Sequence, residues 1–435
     1  MIKKLVLGET NLENLHEIFG LSTEQLSKHK ARLFPIGNSE SEQSTVDIFL
    51  ASLCAVKEYR EQLFTSIGIN KIKTRNVNIH AYTEILDGNK NNRPDGLIVI
   101  TSGKITPIIE WACFVEAKVG DNQLVDEQIE RYSDFARDVG INDILTISNF
   151  LVTNPLVSPI KSKKRNFNFY HWSWEYLRVS ASRLIKIDAI KDEDHIYILN
   201  ELGKYFIDNK NLKNFINMGK DWKINATYIQ QCDREQRIKN DVLNDVVKSL
   251  IQEEKDISLQ LTDKSSYLVE LYVKNERKNE IETMLQTHKV VTSEFILDGN
   301  RKNSFFIDID FPRYEIRCYT NITVEKGKAQ AQTSSLIKMF DEAGYTDDIL
   351  IKALYPRKRA SEENQISLSK LIQQKENGEN FYTILDKSKG DILKSFEIKT
   401  IDNLGKNFLG NKNFIISLEN IAERFLEQVM ESILK

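Results

Sequence analysis

The chain has 435 residues, of which 41% are hydrophobic and 28% charged, and its formal net charge is −3. That length is too great for one ordinary core and predicts two or three domains, while the composition is that of a globular protein with a charged surface. The acidic balance excludes a general polycation, so any nucleic-acid binding must use local basic patches.

Residues 11–31 carry helical spacing, with Ser22 as N-cap and Gln25 three positions later. After the breaker "FPIGNSESEQS", a helix is expected from Glu42 to Ile67, with Val46, Phe49, Leu50, Leu53, Val56 and Leu63 on one stripe. "NVNIHAYTEIL" alternates as a strand, "DGNKNNRPDG" is a turn cluster, "LIVIT" is a second strand and "TPIIEWACFVEAKV" a third. "DNQLVDEQIERYSDFARDVG" reads as an amphipathic helix stopped by Gly140. Two further strands, "DILTISNFLVT" and "FNFYHWSW", and the helix "EYLRVSASRLIKI" complete a domain over 1–190, a mixed α/β sheet flanked by helices. Residues 191–255 are helical and charged and are expected to be a connector. Residues 256–435 alternate strands ("SSYLVELYV", "SFFIDIDF", "YEIRCYTNITV", "DILIKALY", "FEIKTI") with helices and predict a separate α+β domain for recognition or assembly.

The third strand ends unusually. Glu116 and Lys118, two apart, share one face, while Val115 and Ala117 take the other. An acidic-x-Lys triplet means little alone in so charged a chain; others occur at Asp208, Asp221, Glu253, Glu276 and Glu397. Placement separates this one. Asp95 stands in a Pro94-Asp95-Gly96 turn directly before the second strand, and a strand–turn–strand between Asp95 and Glu116 can bring the two carboxylates together. Gln128 and Tyr132 lie four apart on one face of the next helix.

Asp95, then Glu116-Ala117-Lys118, then Gln128-x-x-x-Tyr132, in this order of elements, resembles the PD-(D/E)xK nuclease superfamily over about residues 35–190. The resemblance implies a restriction-endonuclease-like fold and a metal-dependent nuclease. Phosphodiester hydrolysis needs charge neutralised on the phosphoryl oxygens and a nucleophile made from water, and hard divalent cations held by carboxylates supply both. Asp95 and Glu116 would hold Mg²⁺, for which Mn²⁺ would substitute, with the Ala117 carbonyl as a third ligand. Lys118 would orient or deprotonate the attacking water and stabilise developing charge. Glu42 matches an acidic residue that many members carry in the preceding helix, where it would hold a metal-bound water or a second ion; Glu40 is an alternative register. Gln128 and Tyr132 would position a phosphate or Lys118, with a core role open for Tyr132. DNA is the expected substrate and bacterial restriction or anti-phage defence the expected setting. Two other readings remain open. One is a non-catalytic nucleic-acid-binding or assembly protein on a nuclease-like scaffold. The other is a nuclease switched on by a signal, an accessory protein or a second copy acting through the C-terminal domain.

Other candidates compare poorly. Glu84 and Glu110 read as edge-strand carboxylates, and His171 as a packed strand residue. The histidines form no HxH or HxxxH pattern, and neither a P-loop nor a GxSxG elbow occurs. Basic clusters fall at Lys71/Lys73/Arg75, Lys161/Lys163/Lys164/Arg165 and Arg357/Lys358/Arg359, as a phosphate-binding groove would require. Four cysteines (54, 113, 232, 318) make no CxxC pair, which fits a reducing cytoplasm. "MIKKLVLGET" is too short in apolar residues for a secretory signal, and no segment reaches the roughly 18–20 apolar residues a membrane span needs. A cytoplasmic protein with no membrane partner is expected.

Overall fold

The computed structural model describes every residue except 1–3, 32, 34–38, 75, 86–91, 153, 162–165, 213–214, 234–235, 324–326, 341–347, 357–364, 387–392 and 435. Arg75, Lys163, Lys164, Arg165, Arg357, Lys358 and Arg359, most of the expected basic clusters, therefore lie outside the described residues. Two units divide the chain, Met1–Phe215 and Ile216–Lys435.

The first unit opens with a 3₁₀ turn (Leu12–Asn14) and two short helices, α1 (Leu15–Ile18) and α2 (Thr23–Lys28). Gly20, at φ 64°, separates the two, so the helical region expected over 11–31 is in pieces. The expected cap forms: Gln25 N donates to Ser22 Oγ (3.1 Å) and Ser22 N to Gln25 Oε1 (2.7 Å). The helix expected over 42–67 is two, α3 (Glu42–Ala55) and α4 (Lys57–Ser66). They break at Val56, which is fully buried and extended (φ −100°, ψ 109°). Arg60 Nη1 donates to the Cys54 carbonyl at 2.7 Å and so satisfies an acceptor that the break frees.

Strands β1 (Val77–Thr83), β2 (Gly96–Ser102) and β3 (Ile108–Ala117) form an antiparallel meander. Helix α5 (Asp126–Val139) then carries the chain to β4 (Asp143–Ser148), parallel to β3, and β5 (Asn168–Ser173) lies parallel to β4. The sheet order is β1-β2-β3-β4-β5. Helices α6 (Trp174–Lys186) and α7 (Glu193–Asp208) follow. Alternation splits the central strands between two cores. Ile98, Ile100, Trp111, Cys113 and Val115 join the aromatic cluster of Phe49, Phe64, Trp172 and Trp174. Leu97, Val99, Ala112 and Phe114 pack on Phe135, Ala136 and Val139 of α5. Burial on both faces explains why these strands read as near-continuous apolar runs.

The segment expected as a connector is shared between the units. Helix α7 belongs to the first, its Phe206 ring 5.9 Å from that of Trp174. Helices α8 (Trp222–Gln231) and α9 (Asn240–Lys264) belong to the second. The rest of that unit is β6 (Val269–Tyr272), α10 (Arg277–Thr287), β7 (Val290–Leu297), β8 (Asn300–Asp310), β9 (Glu315–Ile322), α11 (Ala329–Lys338), β10 (Leu350–Leu354), β11 (Gln365–Ser367), α12 (Leu368–Glu376), β12 (Ser395–Asn403) and α13 (Asn411–Phe425), with a π turn (Leu426–Met430) and α14 (Glu431–Leu434) after it. Its seven strands are all antiparallel, in the order β11-β10-β12-β9-β8-β7-β6. Alternate residues such as Val291, Phe295, Ile307, Ile316, Cys318 and Ile398 are buried in the unit's core. The chain is thus mixed α/β, with one mixed and one antiparallel sheet. Among the described residues no helix is long and apolar enough to cross a membrane, and all four cysteines are free.

Candidate active site

Register assembles the site. Gly96 pairs with Val115 across β2 and β3, so Asp95, one residue before β2, comes level with Glu116. The Ala117 N–H donates to Asp95 Oδ2 at 2.8 Å and locks that alignment. Gly96 is required by a close approach rather than by its φ. A Cβ there would lie 2.8 Å from Leu50 Cδ1 and 3.2 Å from Val115 Cβ, because the Leu50 side chain of α3 reaches onto the turn.

Glu116 is buried, with 1% of its surface exposed. Its Oε1 accepts from Lys118 Nζ (2.6 Å) and Gln128 Nε2 (2.7 Å). Its Oε2 is buried with no hydrogen-bond donor among the described residues, and the Asp95 carboxyl neighbours the Glu116 carboxyl. Lys118 Nζ also donates to Glu42 Oε1 (3.1 Å) and the Ala117 carbonyl (3.0 Å). Glu42, at the start of α3, places its other oxygen 3.3 Å from Val119 N. From α5, Gln128 Nε2 reaches the Tyr132 hydroxyl oxygen (3.0 Å), and that hydroxyl donates to the Arg93 carbonyl (3.1 Å), tying the helix to the Asp95 turn.

Three carboxylates therefore surround one ammonium. Burial, and then the neighbouring Asp95, push Glu116 up to about 8. Burial likewise raises Asp95 above the ordinary carboxyl range. For Lys118, burial pulls the other way, but Glu116, Asp95 and Glu42 outweigh it and hold the proton on Nζ. The cluster is short of positive charge, and the shortage is concentrated where Glu116 Oε2 meets Asp95. Hard oxygen donors with a deficit of cation suit a divalent ion such as Mg²⁺ or Mn²⁺.

All of Asp95, Glu116, Ala117, Lys118, Gln128, Tyr132 and Glu42 meet here. Glu40 instead gives its carbonyl to Asn211 Nδ2 (3.0 Å). Glu84 lies just beyond β1 at φ 53° and pairs with Arg93 (3.1 Å). Glu110 is at the far end of β3, taking Ser102 Oγ (2.6 Å) and Lys71 Nζ (3.5 Å). His171 is fully buried, its ring bonded to Thr146 Oγ1 (2.8 Å) and the Phe150 carbonyl (2.9 Å).

The supports of the Lys118 loop were not anticipated. Trp174 Nε1 donates to the Lys118 carbonyl (2.9 Å), and Asn149 Nδ2 to the carbonyls of Gly120 (3.0 Å) and Asn211 (2.9 Å). Gly120 N donates to the Asn211 carbonyl (2.7 Å). These partners come from positions 29 to 91 residues away, and no local pattern marks them.

No protein-family model matches the chain, and no curated protein or solved structure matches it either. Its class therefore rests on fold and site alone: a mixed-sheet unit with two converging carboxyls and a lysine at the ends of adjacent strands.

Proposed function

We propose that the first unit is a divalent-metal-dependent nuclease of the PD-(D/E)xK type with a restriction-endonuclease-like fold, cutting phosphodiester bonds of DNA in a restriction or anti-phage setting. The observation that carries this reading is the buried, donor-free Glu116 Oε2 beside Asp95, with Lys118 Nζ 2.6 Å from the other oxygen. Such a site selects a hard cation and places an ammonium next to it.

Asp95, Glu116 and the Ala117 carbonyl would hold the ion, which supplies Lewis-acid stabilisation of phosphoryl oxygen charge and lowers the pKa of water. The protein's own part is positional and electrostatic. Lys118, held as an ammonium by its acceptors, donates to the attacking water or a phosphoryl oxygen and stabilises charge that develops there. Gln128 fixes the Glu116 carboxylate, and Tyr132 holds the turn that carries Asp95. Glu42 sets the lysine's direction. The second unit is read as a recognition or assembly module.

The test is cleavage of plasmid, linear and single-stranded DNA and of RNA with Mg²⁺ or Mn²⁺, against EDTA. Glu116→Ala, Asp95→Ala and Lys118→Ala should each cost about 2.7–4 kcal/mol of barrier, roughly 10²–10³ in rate, with folding preserved. A Glu116→Ala protein that cuts as fast as the parent would sink the assignment.

A further inference from the structure

The second unit holds a second group of buried carboxylates, unconnected with the proposed nuclease site. Glu253, Asp256 and Gln260 recur at i, i+3 and i+7 along α9 and so share a stripe. Glu419, from α13, closes on them. One carboxylate oxygen from each of Glu253, Asp256 and Glu419 lies within 4.8 Å of the other two. Gln260 Nε2 donates to Asp256 Oδ2 (2.8 Å) and Glu419 Oε1 (2.7 Å), holding those two side by side.

Glu253 is the informative member. It is 1% exposed, and among the described residues neither of its oxygens has a hydrogen-bond partner. Its neighbour Glu254, equally buried at 3%, shows how this fold satisfies a carboxylate when a proton or ion is not required. Glu254 takes the Arg277 guanidinium through Nε (3.0 Å to Oε2) and Nη2, and Ser293 Oγ at 2.6 Å. Lys264, at the mouth of the cluster, is paired with Glu423 and acts on Glu419 rather than on Glu253. A bare carboxylate inside a protein costs several kcal/mol unless something positive meets it. Burial, and then Asp256, Glu419 and Glu254, raise the Glu253 carboxyl well above its ordinary range.

We infer that Glu253, Asp256 and Glu419 form a second, structural binding site for a hard divalent cation, clamping α9 to α13. An ion at the centre of a triangle with that edge lies at most about 2.8 Å from each oxygen. Contraction by a few tenths of an ångström reaches the 2.3–2.6 Å of Ca²⁺–oxygen contacts. Three carboxylates, able to chelate through both oxygens, suit Ca²⁺ better than Mg²⁺, which keeps several waters. The absence of histidine and cysteine from the trio disfavours zinc. Gln260 offers a fourth oxygen on rotation of its amide. Glu419, the outermost of the three, is half-exposed and borders a shallow groove with Gln260, Leu261, Lys264 and Glu423.

The test uses the full chain carrying Glu42→Gln, Asp95→Ala and Glu116→Ala, which removes the three carboxylates of the first unit's cluster. After chelation it is dialysed against Ca²⁺, Mg²⁺ or Mn²⁺, bound metal is counted by mass spectrometry, and melting is followed in parallel. One ion per chain should be retained. A melting transition should rise by roughly 5–10 °C at a hundredfold excess over the dissociation constant. Adding Glu253→Gln should abolish both effects, and Glu419→Gln, on the more exposed ligand, should weaken them if the first variant fails to fold. Absence of retained ion and an unmoved melting temperature would overturn the inference and leave the three carboxyls sharing protons. Equal retention in the parent and both glutamine variants would overturn it as well, because the ion would then lie elsewhere.

Discussion

In the first unit the buried carboxylate Glu116 ends a strand, and an ammonium of the same chain stands 2.6 Å from it. In the second unit the buried carboxylate Glu253 sits mid-helix against another helix, and neither oxygen has a hydrogen-bond partner among the described residues. Both clusters are short of positive charge, yet their surroundings differ. Strand ends open toward solvent: Lys118 and Glu42 keep side-chain exposures of 14% and 27%, the access that the proposed nuclease would need for a phosphate. Glu253 and Asp256 are buried on α9, with α13 and, at Glu253, strands β7 and β8 packed against it, where the inferred cation would hold the elements together and touch no substrate. Acidic clustering alone does not separate catalysis from structure. An accessible edge and a lysine within reach do.

The largest effect that sharpens this contrast concerns Arg277. Arg277→Ala leaves the buried Glu254 carboxylate, next to Glu253, without its guanidinium and with Ser293 Oγ as its remaining donor. Removing one partner of a buried pair costs about 3–5 kcal/mol, and denaturant unfolding should register that loss in the second unit. A loss below about 1 kcal/mol would mean that buried carboxylates here do not need countercharge, and the argument from Glu253 would fall with it.

Next in size is Gly96→Ala. A methyl group 2.8 Å from Leu50 Cδ1 and 3.2 Å from Val115 Cβ displaces the buried Leu50 side chain that α3 packs on this turn. Overpacking of this kind costs about 1–3 kcal/mol, and cleavage should fall in addition, since Asp95 moves with the turn. Unchanged stability would show that α3 yields freely and that this turn is not what fixes Asp95.

A smaller effect is expected at Gln128. Gln128→Ala removes one donor from Glu116 Oε1 while Lys118 remains, so cleavage should slow about tenfold, near 1.4 kcal/mol, with little change in melting. Tyr132→Phe breaks the tether to the Arg93 carbonyl and removes one acceptor of Gln128 Nε2, but leaves Glu116 both of its donors, and should do less. Loss of stability at constant specific activity in Gln128→Ala would make the residue a structural one.

How far the sequence alone reached follows from what each feature depends on. The proposed site was readable because its parts are short strings: a turn before a strand, a triplet at a strand end and an i, i+4 pair on a helix. The strands of the first unit were readable because both faces are buried and the apolar runs are long. What escaped depended on distant partners or unusual backbone. Trp174 and Asn211 support the Lys118 loop only through the fold. The break at Val56 carries no glycine or proline. Strand β7 was missed because Lys289, at φ 55°, makes the junction after α10 without a glycine. Yet the Asp298–Gly299 turn that ends β7, with φ of 50° and 68°, is a hairpin signal that reading by apolar runs passes over. Glu253 shows the same limit from the other side. Its triplet with Lys255 looks like that of Glu116 and Lys118, but on a helix those two residues do not face each other.

The smallest expected effect repeats the contrast with the sign of charge reversed. His80, on β1, is half-buried, and its Nε2 contacts Thr101 Oγ1 at 3.2 Å. Burial, and then the nearby Lys30, disfavour the imidazolium and lower its pKa from 6.5. It is a would-be cation without an anion, as Glu253 is an anion without a cation. In the folded state His80 binds its proton less readily than in the unfolded chain. Its contribution to stability is therefore complete above about pH 6.5 and is lost as pH falls through the lowered value. The imidazole signals of the folded protein should titrate below 6.5, and His80→Gln should flatten the fall in melting temperature between pH 7 and pH 5. A titration at or above 6.5 would mean that a carboxylate reaches His80 in solution. Uncompensated burial would then not be the rule that sets apart the charges of these two units.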